Sequence, residues 1–362
     1  MGHRYIGSKT RVLTEILDSI RGIIGKQGKV ADLMCGTSSV SAALRRQGYS
    51  VIANDVMSYS WHHARVSLLF SKAPVFKGAT EFIQEFLPKR AEELFPTTEY
   101  EKILKALQNV PPVKGYFWRE FSVEGKPKAG VSPRNYFLPA NAKKIDGMRK
   151  WLRKLKAEGQ LTDLEHSLLL HDLIMAANDV ANIAGTYGHF MSHISGRAAD
   201  PIRLIPTQLL VKDDSGKHRV LKGYAEDVAK QIVCDLCYID PPYMKRQYAA
   251  NYHILETLAR EDNPPANGVS GLRPWRDQYS DFCTKTRIRD AFRKIFSTMG
   301  CRHFLVSYSE DGLLSVKELQ ALFSEFGKVK TQTFVNKRFK SNNSELASQL
   351  TEYIIHLEKT GS

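Results

Sequence analysis

The chain lacks the features that mark exported or membrane-embedded proteins. It has only five cysteines, at positions 35, 234, 237, 283 and 301, an odd and scattered set that does not read as a disulfide framework. A reducing cytoplasm is the expected location. No run approaches the ~18 apolar residues of a membrane span; the best candidate, Leu168–Ala177, is broken by His171 and Asp172. The opening MGHRYIGSKTRVL has no apolar signal segment, and Ile6 stands where a myristoylation signal has serine or threonine. Internal repeats and low-complexity tracts are missing too. Acidic residues are in deficit, 38 against 52 lysines and arginines, for a net charge of +14. Such an excess favours a polyanionic partner.

What remains is the composition of an ordinary globular protein, 43% hydrophobic and 25% charged. At roughly 100–200 residues per domain, 362 residues imply two or three domains, or one domain with a large insertion. Residues 29–36 form a short apolar run ending in a turn, followed by a helical pattern over Val40–Gln47 and a second apolar run, Tyr49–Ala53, which together make a β-α-β unit. Further on, Gln231–Ile239 is nearly continuous in apolar residues, as a strand covered on both faces should be, and His303–Ser307 reads as another strand. The alternation predicts an α/β fold with a parallel, doubly wound sheet. Between these halves, about residues 79–220, the pattern turns helical and loop-rich. Within Pro111–Gln160, twelve Lys/Arg face four Asp/Glu, and Tyr116, Phe117, Trp118, Phe121, Tyr136, Phe137 and Trp151 are interleaved. Either a solvated basic face over an aromatic core or a nucleic-acid surface has this pattern. A second basic run, Lys328–Lys340, has five positive charges and no negative ones.

The strongest chemical signal is Asp240-Pro241-Pro242-Tyr243, at the carboxyl end of the Gln231–Ile239 strand, where ligands of open α/β sheets bind. Two prolines fix φ and contribute no N–H, so a carboxylate, acceptor carbonyls and an aromatic ring lie close together. That set suits a flat ring bearing an amino group; the competing reading is a strand-ending turn. The turn after the first strand, Asp32 to Ser39 with Gly36 within it, allows close backbone approach to a ligand, and Asn54-Asp55 ends the next strand about twenty residues on. An acidic residue there can hold ribose hydroxyls. Together the two turns point to a nucleoside-containing cofactor.

Other patterns carry less. Gly2-x-x-x-x-Gly7-Ser8-Lys9-Thr10 nearly spells a phosphate loop, but has one residue too many before Lys9 and no preceding strand. Cys234-x-x-Cys237 has no second such pair and reads as buried structural thiols. His189 and His193 have helical spacing without the glutamate of a metalloprotease motif, so no metal is expected.

The set Arg4–Lys9, Asp32-x-x-x-Gly36, Asn54-Asp55 and Asp240–Tyr243 resembles the S-adenosylmethionine-dependent, adenine-specific DNA methyltransferases of the Dam-like family. Residues 134–152, 182–188, 246–258 and 305–312 are similar to a subgroup that includes the FokI-type modification methylases. The resemblance implies a Rossmann-like catalytic domain, residues 1–78 and 221–362, interrupted by a mainly helical target-recognition insertion, 79–220. It implies a site for S-adenosyl-L-methionine built from Tyr5, Lys9, Asp32, Gly36 and Asp55, with one of Glu226 and Asp227 contacting the cofactor's adenine. Asp240 and the Pro241 carbonyl would take the target amine, with Pro242 shaping the turn and Tyr243 stacking on a flipped adenine. Candidate DNA contacts are Arg119, Arg134, Lys143 and Lys144 in the basic segment, Arg246 after the tetrapeptide, and Lys337 and Arg338 in the second run. The family pattern often has glycine at Ser38 and asparagine at Met244. Implied partners are double-stranded DNA and, in a restriction–modification pair, a cognate endonuclease, with the enzyme monomeric and free of membrane. Adenine in structured RNA, or DNA binding without catalysis, are the competing functions.

Overall fold

The computed structural model describes residues 12–87, 97–337 and 349–360. Its described strands are β1 (Lys29–Asp32), β2 (Ser50–Asp55), β3 (Arg219–Lys222), β4 (Val233–Ile239), β5 (Gly300–Ser309), β6 (Gly327–Lys337) and β7 (Gln349–Lys359). They form one seven-stranded sheet in the order β3-β2-β1-β4-β5-β7-β6. The run from β3 to β5 is parallel, whereas β7 is antiparallel to both β5 and β6. The sheet is thus Rossmann-like, but it departs from the wholly parallel expectation at one edge, where β6 and β7 pair directly with each other and insert β7 beside β5.

Burial explains the central strands. Val30, Ala31, Val51, Ala53, Leu236, Cys237, Phe304 and Val306 are completely buried, which is the condition for near-continuous apolar runs. One layer is formed by the helices Ile288–Thr298 and Val316–Ser324, whose Phe292, Ile295, Phe296, Leu319 and Phe323 share a core with Ala31, Cys237, Ile239, Phe304 and Val306. Leu13–Ile24 lies against β4, and Ser39–Arg46 against β1 and β2. Register places Asp32 level with Ala53 of β2 and Tyr238 of β4. Asp55 and Asp240 therefore each stand two residues beyond Asp32's partner, on the strands to either side.

The described chain divides into two compact units. The sheet unit comprises the described chain up to Met57, Lys217–Gln247 and the described chain from Gln278 on; the other comprises the described parts of Ser58–Gly216 together with Tyr248–Asp277. The sequence reading places cuts at 78/79 and 220/221; the compact units divide at 57/58, 216/217, 247/248 and 277/278. The second unit is helical, its longest helices being Pro139–Ala157 and Asp163–Asp179. Among the described residues no helix is long and apolar enough to cross a membrane.

The conspicuous motifs of the helical unit are knitted together by buried hydrogen bonds. Tyr187 N–H donates to Asn251 O (2.8 Å), and Tyr187 O accepts from Tyr136 Oη (2.6 Å) and lies 3.1 Å from His253 Nε2. Burial holds the His253 imidazole down at about 3, so it is neutral at physiological pH. Arg134 is wholly buried. Its guanidinium donates to Glu120 Oε2 (3.0 Å) and to the carbonyls of Glu120, Ala266, Gly268 and Val269 (2.9–3.1 Å). This corrects the expectation that Arg134 contacts DNA: every direction in which it can donate is directed into the protein. Replacing Arg134 with leucine leaves the Glu120 carboxylate and several carbonyls short of a donor in the interior. Arg134→Leu should lower unfolding stability in urea by about 3–5 kcal/mol, while Lys150→Ala, at an exposed position, should change it by less than about 0.5 kcal/mol.

Candidate active site

The site is built on the carboxyl ends of β2, β1 and β4. Directly after β1 the chain turns through Gly36 and Ser38, both in the left-handed region (φ 51° and 61°), and Ser38 N–H donates to Cys35 O at 2.7 Å. Gly36 tolerates that conformation because it has no Cβ. Asp55 holds the turn from the neighbouring strand: its Oδ2 accepts from Gly36 N–H (2.8 Å) and its Oδ1 from Met57 N–H (2.9 Å). Asn54, fully buried, donates through Nδ2 to Leu33 O and to Gly223 O, both at 3.0 Å, so the ends of β1 and β2 and the turn after β3 are tied by one side chain.

Asp32 is buried at the centre, with Ser41 Oγ donating to its Oδ2 at 2.6 Å. Burial pushes its carboxyl up to about 7, the nearby Asp240 and Asp55 carboxylates push the same way, and the Ser41 hydroxyl opposes them. Ser38 Oγ is buried beside the Cys35 thiol without a hydrogen bond of ordinary geometry. A buried carboxyl destabilised as an anion, with a buried hydroxyl in the turn that follows it, is suited to a cationic, hydrogen-bonding ligand.

Asp240–Tyr243 leaves β4 beside this cluster. Tyr243 is half-buried and meets Tyr308 edge-to-face, with ring centroids 5.9 Å apart at 63°. Its carbonyl accepts from Leu313 N–H at 2.9 Å, and Tyr308 Oη accepts from Leu314 N–H at 3.3 Å. The turn after β5 therefore holds the tetrapeptide by both backbone and ring. Gly312 permits this, since a Cβ there would lie 2.1 Å from the Tyr308 ring. Glu226 and Asp227 differ sharply. Asp227 is exposed and paired with Lys294 at 2.7 Å, whereas Glu226 is partly buried, its carboxyl raised by burial and by the Asp281 and Asp227 charges.

Several residues singled out in the sequence lie apart from this cluster or are otherwise engaged. Tyr5, Lys9 and Arg338 lie outside the described residues, as does the near-phosphate-loop sequence. Arg119 pairs with Glu120 (2.9 Å) and lies over the Tyr116 ring. Lys143 sits 3.6 Å from Glu124 and over the Trp118 ring. Lys144 is half-buried and donates to Gln108 O (2.7 Å) and Val110 O (2.9 Å), closing the end of the Glu99–Asn109 helix; burial lowers its ammonium pKa. Arg246 is exposed, and Lys337 pairs with Gln349 in the β6/β7 ladder. Cys234 and Cys237 are buried free thiols, and His189 and His193 are exposed. Among the described residues no group of three or more His, Cys, Asp or Glu side chains is arranged to hold a metal. Sequence reasoning missed Ser41 and Tyr308. Ser41 is one of several small residues after the turn, with nothing to distinguish it; Tyr308 lies in a stretch, residues 305–312, that stood out without an assigned role.

Comparison with known proteins agrees with this geometry. Residues 5–322 match the D12 class N6 adenine-specific DNA methyltransferase family. The type II methyltransferase M.FokI of Planomicrobium okeanokoites is 32% identical over 364 residues, covering 98% of this chain and 52% of that protein. The modification methylase StsI of Streptococcus sanguinis is 29% identical, with 98% and 52% covered. The type II methyltransferase M.NlaIII of Neisseria lactamica is also 29% identical, with 98% and 99% covered. The chain thus spans about half the length of the first two relatives, 52% of each, and nearly all of the third, 99%. With a match that takes in β1 to β5 and every described carboxylate of the site, the chain belongs to the D12 class N6 adenine-specific DNA methyltransferase family.

Proposed function

We propose that this chain transfers a methyl group from S-adenosyl-L-methionine to the exocyclic N6 amine of adenine at a specific sequence in double-stranded DNA. It would do so as a monomer in the cytoplasm, alone or beside a cognate restriction endonuclease. The observation that carries this reading is the juxtaposition of Asp32, Asp55 and Asp240 at three adjacent strand ends, followed at once by Tyr243.

The residues present fit the cofactor. Asp32, buried and raised to about 7, would gain from a neighbouring ammonium group, and the unsatisfied Ser38 hydroxyl lies in the same turn. Asp55, which holds the turn by accepting from Gly36 N–H and Met57 N–H, stands at the end of the second strand, where an acidic residue can take ribose hydroxyls. Of the acidic pair, Glu226 is the member assigned to the adenine, because Asp227 is turned to Lys294 at the surface. Lys9 and Tyr5 complete the proposed site, and Gly36 lets the backbone approach. When bound, S-adenosylmethionine supplies an electrophilic methyl group.

The protein's part is to make adenine's amine a nucleophile. Its nitrogen lone pair is delocalised into the ring, so acceptance of both N–H bonds by the Asp240 carboxylate and the Pro241 carbonyl favours a pyramidal nitrogen with the lone pair directed at the methyl carbon. Transfer would form the N–C bond as the donor's methyl C–S bond breaks, the electron pair going to sulfur to leave a neutral thioether, and the surplus proton of the resulting cationic amine would pass outward through Asp240. Pro242 keeps the turn rigid, and Tyr243, steadied by Tyr308, offers its face to the extruded base. Extrusion costs a few kcal/mol, partly offset by that stacking. DNA is held by exposed cations of the helical unit, among them Lys114, Lys126, Lys128, Lys150, Arg153 and Lys154, with Arg119 and Lys143 at its half-buried margin and Arg246 on the sheet unit; Lys337 and Arg338, whose side chains lie outside the described ones, complete the proposed contacts.

Transfer of labelled methyl to unmethylated genomic DNA should yield N6-methyladenine at one recurring motif. Asp240→Ala should lower turnover by at least about 10²–10³-fold while cofactor affinity changes little; transfer to RNA alone, or undiminished turnover by the variant, would overturn the reading. Cofactor binding should also carry a pH signature. The unliganded Asp32 carboxyl titrates at about 7 and an adjacent ammonium lowers that value, so binding near pH 7 releases a proton. Calorimetry should show affinity rising with pH up to about 7 and levelling above it, and Asp32→Asn should flatten that dependence.

A further inference from the structure

Between the tetrapeptide and the end of this sheet-unit segment, three residues stand out in solvent: Met244, 41% exposed, and Lys245 and Arg246, both exposed. Exposure here does not come from a loose end, because the loop is fastened on both sides. Upstream, Tyr243 is held by Leu313 N–H on its carbonyl (2.9 Å) and by the edge of Tyr308. Downstream, Gln247 is buried and exchanges two hydrogen bonds with Ser280: its Nε2 donates to Ser280 O (3.0 Å), and its Oε1 accepts from Ser280 N–H (2.8 Å). The Arg246 carbonyl also accepts from the Cys283 thiol (3.4 Å). Among the described residues, neither Lys245 nor Arg246 forms a salt bridge, unlike Arg287, Arg289, Arg293 and Lys294 of the same unit.

An unbranched apolar side chain held out in water, followed by two cations outside any salt bridge, thus leaves the tetrapeptide on an anchored loop. It is complementary to one nucleotide with a phosphate on each side. We propose that Met244–Arg246 is a strand grip: Lys245 and Arg246 bind the phosphates flanking the target adenine, and Met244 packs against the extruded nucleotide next to the Tyr243 stack. Adjacent α-carbons are about 3.8 Å apart, so a base resting on Tyr243 is within reach of the flexible Met244 thioether. Phosphate contacts fix register and strand direction without reading sequence. The grip would therefore orient the nucleotide for transfer, while recognition of the sequence resides elsewhere. The assignment rests on the reading of adenine in DNA as substrate.

Its test uses the full chain, S-adenosylhomocysteine and a duplex of the methylated motif carrying 2-aminopurine at the target position. Replacing both cations, K245A with R246A, should weaken DNA binding and reduce the slope of log K against log salt by about 1.8, or 0.9 for each phosphate lost. Met244→Ala should leave that slope and cofactor affinity unchanged, but lower both the 2-aminopurine fluorescence gain and kcat/KM by several-fold; Met244→Leu, which keeps the apolar bulk, should restore them. An unaltered salt slope, or a Met244→Ala enzyme with full fluorescence gain, would overturn the grip even though the parent enzyme methylates adenine. A parent enzyme without adenine methylation would overturn the functional reading and the grip together.

Discussion

Burial of the Asp32 carboxyl between two neighbouring carboxylates, Asp55 and Asp240, is the constraint on which the rest of the site depends. A parallel sheet with the order β2-β1-β4 brings three strand ends side by side, and each ends in or next to a carboxylate. The protein spends much of its local hydrogen bonding on making this arrangement tolerable. Asp55 accepts from two backbone N–H groups, and Asp32 accepts from Ser41. Burial, with the two neighbouring carboxylates pushing the same way, raises the Asp32 carboxyl to about 7. Asn54 and Gly36 follow from the same need: the first ties the strand ends together, and the second lets a backbone N–H reach Asp55. The raised Asp32 carboxyl is the group whose anionic form a cation entering the site would favour.

The helical unit solves a different problem, the placement of an excess of positive charge around an aromatic core. Tyr116, Phe117, Phe121, Tyr136 and Phe137 are buried and pack edge-to-face, with Phe117–Phe121 centroids 5.5 Å apart and Phe121–Tyr136 centroids 5.8 Å apart. They are core rather than platforms for exposed bases. Arg149, also buried, lies over the Phe117 ring at 4.7 Å and donates to Asp262 O at 2.7 Å. Asp146 accepts from the N–H groups of Gly115, Phe117 and Trp118, which caps the Tyr116–Phe121 helix from a distant element. Arg134, Arg149 and Lys144, three of the twelve basic residues in this stretch, are therefore structural ties. The surface charge available to a polyanion is smaller than a residue count implies, and it is carried by lysines and Arg153 at exposed positions.

Legibility from sequence tracked burial. The strands β1, β2, β4 and β5 were readable because both their faces are covered, which forces apolar runs. The short, half-exposed β3 and the edge strand β6 have no such signature. Residues 328–337 of β6 read as a basic run because Lys328, Lys330 and Lys337 stand on an edge strand, where lysine discourages further pairing. The same blindness explains Arg134: charge is visible in sequence and solvent exposure is not. The tetrapeptide and the two β-turn motifs were legible since their residue types are chemically specific. Ser41 and Tyr308 were not, because a hydroxyl supporting a carboxylate and a ring supporting a ring become distinctive only when the partner's position is known. The difference in surroundings between Glu226 and Asp227 was likewise illegible, because it depends on Lys294, which is 67 positions away from Asp227.

Ser38 shows how the site departs from local stability rules for a reason that can be stated. A non-glycine residue at φ 61° costs about 1 kcal/mol or more, and the resembling family often has glycine there, which would remove that cost. The serine additionally buries a hydroxyl without a hydrogen bond of ordinary geometry, a further penalty of about 1–3 kcal/mol. Both costs fall in the turn that separates Asp32 from Ser41, where the carboxylate is itself raised. Two destabilised side chains, Asp32 and Ser38, within ten residues of chain are poorly explained by folding and well explained by binding. A ligand that brings a positive charge to Asp32 and an acceptor to Ser38 relieves them together, and the free energy so released favours the liganded state over the empty one. The methyl donor proposed for this site has an ammonium and a carboxylate on one carbon atom, the pairing of charges that these two side chains lack.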